Sequence, residues 1–225
     1  MHFNCGYMIV DYKNELREKG IVELDLDAFT CSSLLEIASC FGKVIPGARG
    51  EWIQLLPARD KGDGPIGSFS YKVGYDAFPW HTDTAYWNKP AHYLFLTSSD
   101  ASPCATLYQS FDVIKEAIPD FDYLTSRAIF LLDVPGQKRY LSPRFISETG
   151  VQGLRLDFHI YRPMNEEAVK VLEMVNPFLL HNYNRFLWTG HNAVIIDNWR
   201  FIHAREAAHE DKTRVLKRIY INELD

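Results

Sequence analysis

The stretch Phe78-Pro-Trp-His-Thr-Asp-Thr-Ala-Tyr-Trp87 sets His81 two residues before Asp83 in an aromatic run, and a second pair of the same form follows at His209 and Asp211. Eight histidines and 29 acidic residues among 225 positions supply roughly one such pair by chance, so context must separate them. On an extended chain, residues two apart project to the same side, so His81 and Asp83 can offer an imidazole and a carboxylate to one point while Thr82 turns away. Phe78, Trp80, Tyr86 and Trp87 would keep that point dry. His209 and Asp211 instead sit in the charged connector AlaAlaHisGluAspLysThr, where a solvated turn explains them.

One imidazole and one carboxylate do not hold a transition metal firmly, so a third ligand has to come from elsewhere. The run Asn192-Ala-Val-Ile-Ile-Asp-Asn-Trp-Arg-Phe-Ile-His203-Ala-Arg reads as a buried strand, a turn and a second extended segment that places Phe201, His203 and Arg205 on one side. Taken alone, His203 reads as a core histidine bonded to a backbone carbonyl rather than as a ligand. Eleven residues later comes Arg214, and four later Arg218, in ArgValLeuLysArgIleTyrIle. Arg214, Leu216, Arg218 and Tyr220 share one side of a strand, and Val215, Lys217, Ile219 and Ile221 the other. If the first side points inward, two buried cations demand anions, and arginine is the residue that grips a carboxylate with two parallel hydrogen bonds. Roughly 13 Å of strand between them suits two different anionic groups. If it points outward, Ile219 and Ile221 are core and the arginines are solvated; the pattern leaves both open.

The elements that would position these residues are short. Lys13–Gly20 reads as a charged helix stopped by Gly20, and residues 21–26 as a half-exposed strand. Ser33 and Glu36 have capping-box spacing ahead of a helix on Leu34, Leu35, Ala38 and Phe41. Residues 57–67, rich in Gly, Pro and charge, read as a surface loop, a connector or a lid. From Ser68 onward, strands are predicted at 68–75, 92–99, 105–111, 128–134, 154–162, 192–198, 201–205 and 214–221, interrupted by helices at 111–118 and 165–187. Many short strands with few helices predict a mainly β fold with flanking helices, an antiparallel barrel or jelly roll able to hold a metal and a small ligand. One domain over 1–225 suffices.

A net charge of −5 offers no basic surplus for phosphates and argues against nucleic acid as a partner. No stretch approaches the ~20 apolar residues of a membrane span, and the N-terminal residues do not read as a secretory signal. Cys5, Cys31, Cys40 and Cys104 are scattered without a Cys-x-x-Cys. They read as reduced, mostly buried thiols of a cytoplasmic protein whose partners are small solutes.

Taken together, His81-x-Asp83, the distal His203 in AspAsnTrpArgPheIleHisAlaArg, and Arg214 followed by Arg218 resemble the iron(II)- and 2-oxoglutarate-dependent dioxygenases of the taurine dioxygenase and clavaminate synthase-like superfamily. LeuArgGluLysGlyIleValGluLeu resembles that superfamily's N-terminal portion, and ProCysAlaThrLeuTyrGln its Gly-Gly-x-Thr-Leu segment. The resemblance implies a double-stranded β-helix, or jelly roll, using Fe(II), 2-oxoglutarate and dioxygen. It implies that His81, Asp83 and His203 hold iron, that Arg214 with Thr106 binds the distal carboxylate of 2-oxoglutarate, and that Arg218 anchors an acidic substrate. Asp157 or Asp76 would then meet a substrate ammonium group. Two imidazoles and one carboxylate are also the expected facial set for a non-haem iron oxygenase, and no further catalytic acid or base is required. Asp83 as a ligand favours hydroxylation over halogen transfer. The chain departs from the superfamily at Cys104-Ala105, where a glycine pair is usual, and at His191. The expected reaction is hydroxylation of a small carboxylate-bearing molecule, a free amino acid or derivative. A protein side chain as substrate, or a ligand-binding barrel without activity, are the alternatives.

Overall fold

The structure is a computed structural model that describes residues 3–29, 32–64, 69–134 and 137–224. Helix α1 (Phe3–Lys19) leads into β1 (Ile21–Asp25), a 3-10 turn, α2 (Leu34–Phe41), β2 (Gly42–Ile45) and β3 (Gln54–Pro57). A short α3 (Phe69–Val73), β4 (Phe78–His81), β5 (Tyr93–Ser98) and β6 (Ala101–Ser110) precede α4 (Phe111–Ala117) and α5 (Phe121–Arg127). Two hairpins follow, β7 (Phe130–Val134) with β8 (Gln137–Leu141) and β9 (Arg144–Ile146) with β10 (Gln152–Leu154). The chain closes with β11 (Tyr161–Pro163), α6 (Glu166–Leu179), β12 (Asn184–Thr189), β13 (Asn192–Asp197), β14 (Phe201–Arg205) and β15 (Val215–Leu224).

Two antiparallel sheets carry the fold. The larger runs β1-β13-β5-β15-β2, with β3 also paired to β15; the smaller runs β12-β6-β14-β4. Leu94, Leu96, Val194, Ile196, Leu216 and Tyr220 of the first pack against Phe186, Trp188 and Phe201 of the second. The opposite face of the larger sheet, Tyr93, Phe95, Ile195, Ile219 and Ile221, is covered by Leu16 of α1 and by Ile37, Ala38 and Phe41 of α2. The outer face of the smaller sheet, with Ile202 and Ala204, is covered by α4, α5 and α6 through Ile114, Phe121, Val171 and Val175. The molecule is therefore four layers deep, and a strand of the larger sheet is buried on both sides. That settles the orientation of β15: Leu216, Arg218 and Tyr220 face inward, while Ile219 and Ile221 meet the helices.

Local chemistry explains the element ends. Ser33 Oγ accepts from Glu36 N at 3.3 Å and Glu36 returns the bond to Ser33 N at 2.6 Å, the capping box that the spacing predicts. Gly20 closes α1 in the left-handed region at φ +73°, and a Cβ there would come within 2.6 Å of the Phe201 ring.

Four expectations are corrected. The predicted strand at 68–75 is α3 over Phe69–Val73 followed by a turn at Gly74 and Tyr75, with Ser68 outside the described residues. Residues 154–162 are extended only at their ends, because Asp157 Oδ1 accepts from His159 N and Ile160 N and folds the middle into a turn. The predicted helix at 165–187 stops at Leu179; beyond it Phe186 and Trp188 alternate as buried positions, a period of two that belongs to β12. Cys40 is exposed while Cys104 is buried; Cys31 lies outside the described residues.

Candidate metal and co-substrate site

His81 ends β4 and His203 stands opposite it on β14, in register, with the imidazole centroids 4.3 Å apart. Asp83 lies in the turn after β4 and is held by its backbone. Its N–H donates to Asn198 Oδ1 at 2.8 Å, and its carbonyl accepts from Asn198 Nδ2 at 2.9 Å. Asn198 Nδ2 also reaches Ala91 O at 2.9 Å, so one amide ties the turn after β4 to the turn between β13 and β14. Thr84, next in sequence, sits at φ +54°, an unusual conformation for a branched side chain. Its hydroxyl donates to Asp83 O and accepts from Ala91 N, which keeps it there.

The three ligand atoms lie within 4.8 Å of one another, the only such His/Cys/Asp/Glu group among the described residues. His81 Nδ1 donates to Pro79 O at 2.9 Å, which fixes the tautomer and leaves the Nε2 lone pair facing the cluster. That nitrogen is 3.6 Å from Asp83 Oδ1, and His203 Nε2 is 4.0 Å from Asp83 Oδ2. Both exceed a hydrogen bond, so lone pairs converge on a shared space, as a cation requires. Burial and the neighbouring His81 push the His203 pKa down to about 3. The Asp83 carboxyl is buried, which works against ionisation, yet Arg218 and His81 hold it well below the usual carboxylate range. A neutral imidazole and an ionised carboxylate are the forms that bind metal.

Arg218 is the partner that sequence reasoning placed elsewhere. Its Nη1 donates to both Asp83 oxygens, at 2.7 and 2.8 Å, and Nε donates to Gln54 Oε1 at 2.9 Å, which Nη2 also contacts. The guanidinium is thus engaged by the ligand carboxylate rather than standing open as an anchor. Gln54, directly opposite Arg218 across β3 and β15, carried no signal in the sequence. Asp157 bridges His81 from the other side and is 2% exposed; burial raises its carboxyl to about 6. Asp76 is different: it faces solvent, accepts from His209 Nε2 at 3.0 Å and pairs with Lys61. His209 is accordingly spent on that surface contact, not on a second metal site.

Arg214 is 5% exposed, and its Nε and Nη2 are buried without a hydrogen-bond partner among the described residues. Burial pushes its pKa down, with the nearby Arg205 adding to the effect. Cys104 lies within electrostatic reach and shares a face of β6 with the buried Thr106, which pairs with Arg205 across β14. After β3 the chain stays tied to this strand: Ala58 N donates to Arg214 O at 2.9 Å, and further on Gly62 N donates to Tyr71 O at 2.9 Å. A buried guanidinium with vacant donors, whose neighbour Arg205 lies two residues along β14 from the ligand His203, fits an acid that also reaches the metal. By the same donor chemistry the residues present fit Fe(II) and 2-oxoglutarate.

No family model and no curated protein matches the sequence. Among solved structures, asparagine oxygenase, in complex with Fe(II), (2S,3S)-3-hydroxyasparagine and succinate, is similar over 96% of this chain and 79% of that one, with a TM-score of 0.77 and 16% identity. The fold is that of this oxygenase. The PvcB protein from Pseudomonas aeruginosa matches 98% of this chain and 80% of its own length, with a TM-score of 0.71 and 17% identity. The oxygenase OrfP, solved with Fe and alpha-ketoglutaric acid, matches 84% of this chain and 63% of its own length, with a TM-score of 0.64 and 18% identity. The jelly-roll fold that the sequence predicts is thus borne out.

Proposed function

We propose that the protein is an Fe(II)- and 2-oxoglutarate-dependent hydroxylase of a small carboxylate-bearing molecule, a free amino acid or derivative. The observation that carries this reading is the presence of the His81, Asp83 and His203 cluster together with the buried Arg214 guanidinium, whose Nε and Nη2 lack a partner among the described residues. When bound, iron and 2-oxoglutarate supply the oxidation: dioxygen is split so that one oxygen enters succinate as CO2 leaves and the other enters a C–H bond of the substrate as hydroxyl.

The chain's own part is holding and excluding. His81, Asp83 and His203 would hold the ion, and Arg214 with Thr106 would orient the co-substrate through its far carboxylate. Asp83 keeps a carboxylate in the ligand set, which favours hydroxylation over halogen transfer. Arg218 keeps Asp83 ionised and, with a substrate acid present, can share its guanidinium between the two; Asp157, bridged to His81, would meet an ammonium group. Trp87, 5.8 Å from Tyr220, and Tyr108, 6.2 Å from Phe201, line the interior with aromatic surface that excludes water. Support for an amino-acid substrate comes from structures of similar fold, solved with hydroxyasparagine and with (3S)-hydroxy-L-Arg. The described helices include none long and apolar enough to cross a membrane.

The test is succinate release from 2-oxoglutarate by protein supplied with Fe(II) and ascorbate, across a panel of free amino acids. Stimulation by at least one of them, and its loss in Asp83→Ala, is expected. No succinate under any substrate, with Asp83→Ala indistinguishable from the parent, would sink the reading.

A further inference from the structure

A second concentration of positive charge lies beside the site. Arg155 is 6% exposed, yet it meets no carboxylate among the described residues: Nε donates to Ser142 O at 3.1 Å, Nη1 to Trp87 O at 2.9 Å and Asn88 O at 3.1 Å, and the guanidinium lies 5.3 Å from the Phe145 ring centroid. Its Nη2 makes no hydrogen bond among the described residues. Arg139 of β8 donates to the Asn88 side chain and to Tyr86 O, while its Nε is buried without a partner. Neither arginine pairs with a carboxylate among the described residues. Burial lowers the Arg155 pKa, and the charge on Arg139 lowers it further. Two buried or half-buried cations that repel each other and lack an anion are costly.

Their position relates them to the metal cluster. His81 bridges Asp157 and Thr82 N donates to Leu156 O at 2.8 Å, so Arg155 stands across from Asp83 on the neighbouring segment. The segment that both arginines grip, 86–88, carries Trp87 against Tyr220, whose ring lies 4.9 Å from the guanidinium of Arg218. Arg218 in turn holds Asp83.

We propose that Arg139 and Arg155 form an anion subsite for the far end of the substrate, and that the substrate is an amino acid with an acidic side chain: carboxylate, sulfonate or phosphate. The inference rests on the hydroxylase reading. Arg155 Nη2 and Arg139 Nε are the vacant donors, and the carbonyl contacts of the remaining nitrogens hold both planes in place, so little ordering is needed when the anion arrives.

Binding is measured anaerobically on protein loaded with Fe(II) and 2-oxoglutarate, using L-aspartate against L-asparagine, L-glutamate against L-glutamine, and O-phospho-L-serine. At least one acid binds tenfold or more tighter than its amide or, for phosphoserine, than either amide. Arg139→Gln, on a surface hairpin, and Arg155→Gln each reduce that preference at least fivefold, while amide affinity stays within twofold. Arg155→Lys, which keeps the charge, retains part of the preference. Equal affinity for acids and amides, no saturable binding of any acid, or an equal loss of both ligands in both glutamine variants overturns the subsite. Fe(II) uptake and 2-oxoglutarate binding are recorded on the same samples. Their failure removes the hydroxylase reading itself, whereas their success without an acid preference removes only the subsite.

Discussion

Replacing Arg214 by methionine moves ligand affinity and stability in opposite directions, which a merely structural arginine would not do. In the free protein the guanidinium is buried with Nε and Nη2 vacant, so its desolvation is already suffered before any ligand binds. Two charge-assisted hydrogen bonds to a carboxylate contribute about 1.5–3 kcal/mol each; after the cost of stripping water from that carboxylate, about 3–4 kcal/mol remains. The variant should therefore bind 2-oxoglutarate between two and three orders of magnitude more weakly, at about 1.4 kcal/mol per tenfold. Methionine fills a similar volume without charge, and removing an unpaired buried ion stabilises by about 1–2 kcal/mol, equivalent to roughly 2–8 °C in melting temperature for a chain of this size. Thermal melts with Mn(II), with and without 2-oxoglutarate, read both effects. The parent gains about 2.7 kcal/mol at a hundredfold excess over its dissociation constant, and Arg214→Met melts higher without ligand and gains almost nothing with it. A variant that melts lower and keeps the ligand shift would refute the assignment of Arg214 to the co-substrate.

Three further outcomes follow from the geometry. Asn198→Ala removes three buried hydrogen bonds and should cost about 2–4 kcal/mol in denaturant unfolding while weakening Mn(II) binding, because Asp83 loses its backbone hold; unchanged metal affinity would contradict the positioning role. Burial works against the proton on His81, but Asp83 outweighs it and raises the pKa, whereas His203 is lowered to about 3. Below the His81 pKa, metal uptake should therefore expel about one proton, and Co(II) affinity should fall roughly tenfold per pH unit there as acid protonates His81; a slope of two would mean that His203 titrates as well. Ser33→Ala breaks the capping box of α2 and should lower stability by about 1 kcal/mol with no effect on metal binding, read by urea unfolding and Mn(II) titration.

What the sequence made legible, and what it hid, follows from how many faces of each element are buried. The capping box at Ser33 and Glu36 is written in four consecutive residues, and it forms as predicted. The His81-x-Asp83 and His203 cluster was legible from its residue types and spacing and assembles as expected, although Asp83 reaches it from a turn held by Asn198 rather than from the strand that ends at His81. The arginine strand was not legible in the same way. Alternation identifies a buried face only when the other face meets water, and β15 lies between the aromatic interior and helices α1 and α2, so Leu216 and Tyr220 on one side are as buried as Ile219 and Ile221 on the other. Helix and strand also merge in pattern where apolar residues crowd, which is why the run after Leu179 hid β12.

Arg218 shows the remaining limit. Its contact with Asp83 joins residues 135 positions apart, and no local rule links them. What the sequence does permit is a weaker, general inference: an inward arginine must find an anion. That inference is correct for Arg218, which finds a metal ligand. Arg214, Arg139 and Arg155 find none among the described residues. Burying cations without counter-ions is unfavourable in the free chain, so the places where this protein leaves guanidinium nitrogens vacant are the places where anionic ligands contribute most when they bind. The site is in this sense incomplete by construction, and under the proposed reading acids would complete it where those vacancies lie, the co-substrate at Arg214 and the substrate at Arg139 and Arg155.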